Sequence, residues 1–224
     1  MIDVLRATST IVTALAAGAT AVRAVDTVEE AEALRHADPR RLLGGERHLK
    51  PLPSFDFGNS PASYLSPQVR DRELILSTTN GTRALAWAAA TKARVLALAL
   101  LNVSAVASTL LDPAPAHVLL LCAGVQGRIG WDDAYVAGAL LERLISAGLT
   151  VDLGETAQVV HWLYMGASTG TTPFDALAAT DPGQQLIAAG YRADVEFCAR
   201  RDAFDVVPVW SADGVLRADA GRAG

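Results

Sequence analysis

Ile2-Asp3-Val4-Leu5-Arg6-Ala7-Thr8-Ser9-Thr10-Ile11-Val12-Thr13-Ala14-Leu15 joins a strand end, a polar loop and a helix start in one short stretch, and its reading sets the fold class. Ile2, Val4 and Leu5 suit a strand end, although Asp3 interrupts the apolar run with a carboxylate. A buried carboxylate there needs a partner. Ile11, Val12, Leu15 and Ala16 fall at helical spacing, and Gly18 supplies a left-handed stop. Arg6, Thr8, Ser9 and Thr10 therefore collect at a helix N-terminus, where unpaired N–H groups favour a phosphate, sulfonate or carboxylate. The plainer use of the same residues is Thr8 or Ser9 as an N-cap and Arg6 as the partner of Asp3.

Outward from this stretch the chain repeats a strand–helix rhythm. Ala21–Val25 reads as a strand, and Thr27 with Glu30 has capping-box spacing for a helix to about His36. Leu42-Leu43 is a brief strand ending at Gly44-Gly45. The segment 45–61 then breaks the rhythm with prolines, aromatics and Glu46, Arg47, His48, Lys50, Asp56 and Asn59; it is either a surface flap or a functional loop. Glu73–Thr78 is a strand running into Thr79-Asn80-Gly81-Thr82-Arg83 and an alanine-rich helix, the same device as the opening stretch. Val95–Leu101 and Val118–Cys122 read as buried strands, with Asn102 capping a helix between them. The second stops at Ala123-Gly124-Val125-Gln126-Gly127-Arg128, and Asp132-Asp133 opens a long helix closed by Gly148. Acids at a helix start also have a use without chemistry, because they favour the dipole. Beyond it come helices near 157–165 and 182–190, Asp194 as the cap of a helix to Arg201, and a hairpin from Val206–Trp210 to Val215-Leu216. Residues 219–224 read as a frayed tail, and the first strand, opening at Met1, reads as clipped short. A single α/β domain over 1–224 is expected.

Composition narrows the function classes. The hydrophobic share is 51%, the mean hydropathy is +0.26 and the net charge is −5, with lysine only at positions 50 and 92. Nucleic-acid binding is disfavoured. No secretory leader is read, and the apolar runs are too short to span a bilayer, so a cytoplasmic protein is expected. Cys122 and Cys198 lack C-x-x-C spacing, and the four histidines have no zinc spacing.

Three strand ends thus carry glycine, hydroxyl residues and arginine, each ahead of a helix. In open α/β sheets ligands sit at such ends. Asp3, Glu46, Asp56 and Asp133 are candidate hard-oxygen ligands, the set magnesium prefers. A cation beside anion-binding turns suits a phosphate ester.

The phrases Ile2–Thr10, Gly44-Gly45-Glu46-Arg47, Phe55-Asp56-Phe57-Gly58-Asn59-Ser60-Pro61, Thr78–Ala84 and Cys122-Ala123-Gly124 with Gly127-Arg128 together resemble the 2-phosphosulfolactate phosphatase (ComB) family. The resemblance implies a three-layer α/β/α fold with a mixed, largely parallel sheet. It also implies a magnesium-dependent hydrolase acting on 2-phosphosulfolactate in coenzyme M biosynthesis. On that pattern Asp3, Glu46, Asp56 and Asp133 are assigned to metal or water, and Asp3, Arg6 and Asp133 to catalysis. Arg6, Thr8, Ser9, Thr10, Asn59, Thr79, Asn80, Gly81, Thr82, Arg83 and Gly124 are assigned to phosphate and substrate, and Arg47 or Arg128 to the carboxylate or sulfonate. The nucleophile is a metal-activated water or Asp3 itself, and a homodimer is the base-rate expectation. One departure stands out: Pro182-Gly183-Gln184 occupies the place of a His-Gly-Arg phrase. Alternatives are a phosphatase for another small acidic ester and a non-catalytic binder of an anionic metabolite.

Overall fold

The computed structural model describes residues 1–112, 114–125, 127–149 and 152–219. Strands β1 (Ala21–Ala24), β2 (Leu42–Arg47), β3 (Lys50–Pro51), β4 (Glu73–Ser77), β5 (Pro208–Trp210) and β6 (Leu216–Ala218) form one mixed sheet, in the order β3-β2-β4-β1-β6-β5. β4 runs parallel to both β1 and β2, giving a parallel centre, and β5 and β6 form the C-terminal hairpin. The helices are α1 (Ala7–Ala16), α2 (Val28–Ala37), α3 (Gly81–Ala90), α4 (Val103–Leu111), α5 (Trp131–Ser146), α6 (Glu155–Ala167), α7 (Pro173–Ala178), α8 (Asp181–Ala188) and α9 (Arg192–Cys198). This is the α/β architecture expected.

Strand periodicity explains the layers. Leu74 and Leu76 of β4 pack with Ile11 and Leu15 of α1 and Leu85 of α3, whereas Ile75 between them packs with Ala31 and Leu34 of α2. Side chains alternate across a strand, so helices cover both faces. A further cluster joins Ile2, Val4 and Leu98 to Val106 of α4, Val136 and Leu140 of α5 and Val195 of α9. Each such aliphatic side chain, fully buried, contributes about 1.5–3 kcal/mol.

Local chemistry sets the boundaries. Thr27 Oγ1 accepts from Glu30 N at 3.1 Å, as its spacing predicts, and Gly148 takes φ +85° where α5 stops. Other expectations are corrected. Val95–Leu101 is buried but not a continuous strand: among the described residues only Leu96 and Leu98 of it make bridges, and the chain then turns through a short 3-10 helix at Leu100–Asn102. Val118–Cys122 has one bridging residue, Cys122, and leaves Val118 and Leu119 in water. α7 was not foreseen, and its start is held by Thr172 Oγ1 accepting from Asp175 N. Of the tail expected at 219–224, residues 220–224 lie outside the described residues, while Asp219 is tied down by Val207 O and Arg94.

Asn102 does more than begin α4. Its Oδ1 accepts from Ala99 N at 2.9 Å, and its Nδ2 donates to Ala97 O and Val206 O, at 3.2 and 3.0 Å, all in or beside the core. The side-chain N-cap it was expected to make is absent; the Asp202 carboxylate instead accepts from Ser104 N and Oγ. Removing the amide leaves one donor and two acceptors unpaired in a buried setting. Asn102→Ala is expected to lower unfolding free energy by about 3 kcal/mol, read as a lower urea midpoint at unchanged slope.

Candidate active site

The loop between Ile2 and α1 is locked by its own hydroxyls. Thr8 Oγ1 donates to Asp3 O at 2.8 Å and accepts from Asp3 N, Ser9 Oγ donates to Val4 O, and Thr10 Oγ1 donates to Asn59 Oδ1 at 2.9 Å. All three hydroxyl residues are fully buried. Their side chains, expected on phosphate, brace the backbone instead. What this bracing presents is Asp3, whose Oδ1 accepts from Ala7 N at 3.1 Å, the start of α1.

Asp3 lies beside Asp132 and Asp133 at the start of α5. Asp133 accepts from Val4 N at 2.9 Å and Gly124 N at 3.1 Å, one oxygen each, so it ties the Asp3 loop to the turn after Cys122. Asp132 Oδ1 is buried without a hydrogen-bond partner among the described residues, and so is Thr78 Oγ1. Buried polar atoms are seldom left in that state. Glycine makes room at both places. A Cβ on Gly81 would stand 2.8 Å from Asp3 Oδ2 and 3.2 Å from Thr78 Oγ1, and one on Gly130 would stand 3.1 Å from Asp132 Oδ1.

Burial, and then nearby like charge, raise the proton affinity of all three acids. Burial, and then the nearby Glu46, push Asp3 up to about 6; burial and then Asp3 push Asp132 up to about 7. Burial and then Asp132 and Asp3 hold Asp133 well above the carboxylate range. The cluster's chemistry suits a hard divalent cation on two counts: its donors are oxygens, and two buried oxygens lack hydrogen-bond partners among the described residues. Among the described residues no group of three or more acidic, histidine or cysteine side chains is arranged to hold a metal ion by itself, so the fit rests on the chemistry of these oxygens alone.

The other expected ligands are placed differently. Both Glu46 oxygens are engaged, Oε1 by Thr79 N and Oγ1 and Oε2 by Leu49 N, so Glu46 ties the β2 end to the turn after β4. Asp56 pairs with Arg35 and accepts from Leu43 N, and no described hydrogen bond joins it to the three acids. Arg47 donates to Glu46 O, Asp26 O and Ser77 Oγ, bracing strand ends. Thr82 Oγ1 donates to Thr78 O. At the start of α3, Asn80 makes no side-chain cap, leaving the N–H groups of the first turn open, and Arg83 is exposed. Gly124 takes φ +66°, and a Cβ there would stand 2.4 Å from Arg128 O, so glycine closes the turn that presents the exposed Arg128. Gln126, within that turn, lies outside the described residues.

Arg6 is buried and its partner is not Asp3 but Asp194, with Nη1 2.6 Å from Oδ2. Ser60 Oγ donates to the same oxygen at 2.8 Å, and the guanidinium lies 4.7 Å from the Tyr191 ring centroid. Asp194, expected as a helix cap, sits inside α9 and fixes this arginine. Asp194→Ala strands a buried cation and is expected to destabilise the fold by about 3–5 kcal/mol, whereas exposed Arg128→Ala should stay within about 0.5 kcal/mol of the parent. Chemical denaturation of both variants checks the contrast.

The raised acids have a signed pH effect. Unfolded, each titrates near 3.8. A group with a higher folded value contributes stability below its unfolded value and loses that contribution as pH rises through the folded one. In EDTA, the cluster's contribution should fall between about pH 4 and 7, and Asp132→Asn should flatten this part of the stability profile. Urea titrations showing the same profile for parent and variant would remove Asp132 from the repelling set.

Fold and site together define an α/β protein with an acid cluster and an open helix start at its strand ends, next to arginines. The profile of the 2-phosphosulpholactate phosphatase family matches residues 1–213. The chain is 39% identical over 209 residues to a protein of Deinococcus radiodurans named a probable 2-phosphosulfolactate phosphatase, covering 93% of this chain and 85% of that one. It is 40% identical over 212 residues to one of Thermus thermophilus with the same name (93% and 86% covered), and 39% over 222 residues to one of Synechococcus sp. strain WH7803 (97% and 88%). The chain belongs to the 2-phosphosulfolactate phosphatase family. No helix among the described residues is long and apolar enough to cross a membrane.

Three residues of the site were not assigned to it in sequence: Asp132, Thr78 and Asp194. Asp132 reads there as an acid that favours a helix start, and Thr78 only as a strand end and the first residue of the phrase Thr78–Ala84. Asp194 stands 188 residues from Arg6, a separation no local pattern spans.

Proposed function

We propose that this chain is a magnesium-dependent phosphatase that hydrolyses 2-phosphosulfolactate to sulfolactate and phosphate. The observation that carries the reading is the buried Asp132 Oδ1, without a hydrogen-bond partner among the described residues and beside two further carboxylates, since such a set asks for a cation. Family membership and the relatives' names supply the ester.

Asp3 and Asp132 would hold the cation through Asp3 Oδ2 and Asp132 Oδ1, with Thr78 Oγ1 alongside. When bound, magnesium supplies positive charge that polarises a phosphoryl oxygen and offsets the acids. The N–H groups at the start of α3 and the remaining N–H groups of Arg6 receive the other phosphoryl oxygens and stabilise the charge that builds on them. Asp133, fixed by Val4 N and Gly124 N, orients a water and accepts its proton as oxygen attacks phosphorus. The phosphorus–ester oxygen bond breaks, the alkoxide takes up the proton, and phosphate leaves. We assign Arg128 to the sulfonate or carboxylate, because Arg47 is already held on backbone carbonyls and Ser77.

A second reading, an ester with a different acidic end, has its own support. Arg128, Gly130, Trp131, Thr180, Asp181 and Pro182 line a cleft of ≈ 220 Å³, to which the Pro182-Gly183-Gln184 stretch brings no cation. Phosphate release from a panel of small acidic esters, in magnesium and in EDTA, decides between them. The expected result is metal-dependent release selective for 2-phosphosulfolactate, lost by about 100-fold or more in Asp133→Asn. Selectivity for another ester favours the second reading, and equal release in EDTA overturns the magnesium assignment.

A further inference from the structure

The cleft that holds Arg128 is joined to a second one. Gly130 lines the first, and a Cβ there would stand 3.1 Å from Asp132 Oδ1 and 3.4 Å from Asp133 Oδ2, so this cleft lies against the acids. Trp131 and Ala179 line it too, and both also line another cleft of ≈ 220 Å³ formed by α5, α6 and α7. The two are therefore contiguous, with Trp131, 45% exposed, at their junction.

The second cleft differs in chemistry from the first. Tyr135, Leu163, Tyr164 and Ala176 give it apolar walls. Those walls are set by packing: a Cβ on Gly138 of α5 would stand 2.3 Å from Tyr164 Cβ, so glycine lets α6 close on α5, and the Tyr135 and Tyr164 rings meet with centroids 5.1 Å apart. Asp175 is the one charged residue among the described lining residues, and it already accepts from Thr172 N and Oγ1. The Tyr135 hydroxyl is bonded to Ser168. A charged group entering here would lose its water and gain no partner, whereas an apolar group gains by burial. Pockets that enclose a whole small molecule run to roughly 300–1,000 Å³, so a slot of this size suits one apolar group of a ligand anchored next door.

We propose that the second cleft is a tail subsite. Through it this chain hydrolyses, beside 2-phosphosulfolactate, phosphate esters of 2-hydroxy acids whose third carbon carries an aromatic or branched aliphatic group. The inference rests on the phosphatase reading above. Arg128 holds the carboxylate that both kinds of ester share, the phosphoryl group lies at the acids, and the tail passes Trp131 to rest on Leu163, Tyr164 and Ala176. The reaction is the same hydrolysis: the hydroxyl of water goes to phosphorus, the phosphorus–ester oxygen bond breaks, and the water's other proton ends on the ester oxygen.

Two measurements test this. The first compares kcat/KM, in magnesium, for 2-phosphosulfolactate and for the phosphate esters of lactate and of 3-phenyllactate. The phenyl ester should exceed the lactate ester by roughly tenfold or more, and Ala176→Phe, which fills the slot, should return that ratio to about one. If Ala176→Phe fails to fold, Leu163→Asp carries the same comparison by placing a charge at the slot. The second measurement titrates phenyllactate and lactate against intrinsic fluorescence, with Trp131→Phe to identify the responding ring; phenyllactate should bind at least about tenfold more tightly. Where 2-phosphosulfolactate is hydrolysed, equal kcat/KM for the two lactate esters overturns the proposal, and a phenyl preference that survives both slot variants overturns this cleft as its seat. Where no ester is hydrolysed, the phosphatase reading falls by itself and binding decides the subsite: a phenyllactate preference lost in the slot variant upholds it, and equal binding of the two acids overturns it.

Discussion

Three carboxylates held out of water within reach of one another set the terms for the rest of this structure. Like charges in a medium of low polarisability repel strongly, and each of Asp3, Asp132 and Asp133 responds by binding its proton more tightly. Left to itself such a cluster would open. It is kept closed by backbone donors: Ala7 N on Asp3, and Val4 N and Gly124 N on Asp133. The N–H groups that hold the acids come from the two loops that the acids join, so the electrostatic strain and the geometry of the site belong to the same few bonds.

Around this centre, residues that look chemical in sequence turn out to be braces. Thr8, Ser9 and Thr10 direct their hydroxyls to main chain or to Asn59, Arg47 holds carbonyls, and Glu46 fastens the turn after β4. These bonds leave the α3 start without a side-chain cap and Arg6 buried beside Asp194. Arg6 is itself aimed by Asp194, Ser60 and Tyr191, which come from distant parts of the chain. A guanidinium fixed on one edge offers its other donors in a set direction.

The alternation along Leu74-Ile75-Leu76, the cap at Thr27 and the Gly148 stop were readable from sequence, because each depends on neighbours within a turn or two. The strand–turn–helix device at Gly81 was equally local, whereas at Asp3 and Gly124 the turn and helix stand but the segments before them make only isolated bridges. Glu46 and Asp56 looked like ligands because sequence reports residue type but not which hydrogen bonds a side chain has already made. Arg6 with Asp194 and Asn102 with Val206 are contacts between separate elements, fixed only by tertiary packing. Val118–Cys122 misled for a different reason: its composition is that of a buried strand, but burial needs a neighbour, and among the described residues only its end, at Leu121 and Cys122, has one.

Gly81 has a consequence for how this protein tolerates change. A single methyl there would come within 2.5 Å of Ala7 Cβ as well as 2.8 Å of Asp3 Oδ2, so the packing of α3 on α1 and the shape around the acids share one vacancy. No substitution at that position alters the one without disturbing the other. Diversity in this scaffold is thereby directed elsewhere, to the exposed Arg128 and Ile129 and the half-exposed Trp131 at the rim, where side chains meet solvent before they meet each other. Directed evolution toward a new ester would find its accessible steps along that rim, with the strand ends beneath it held constant.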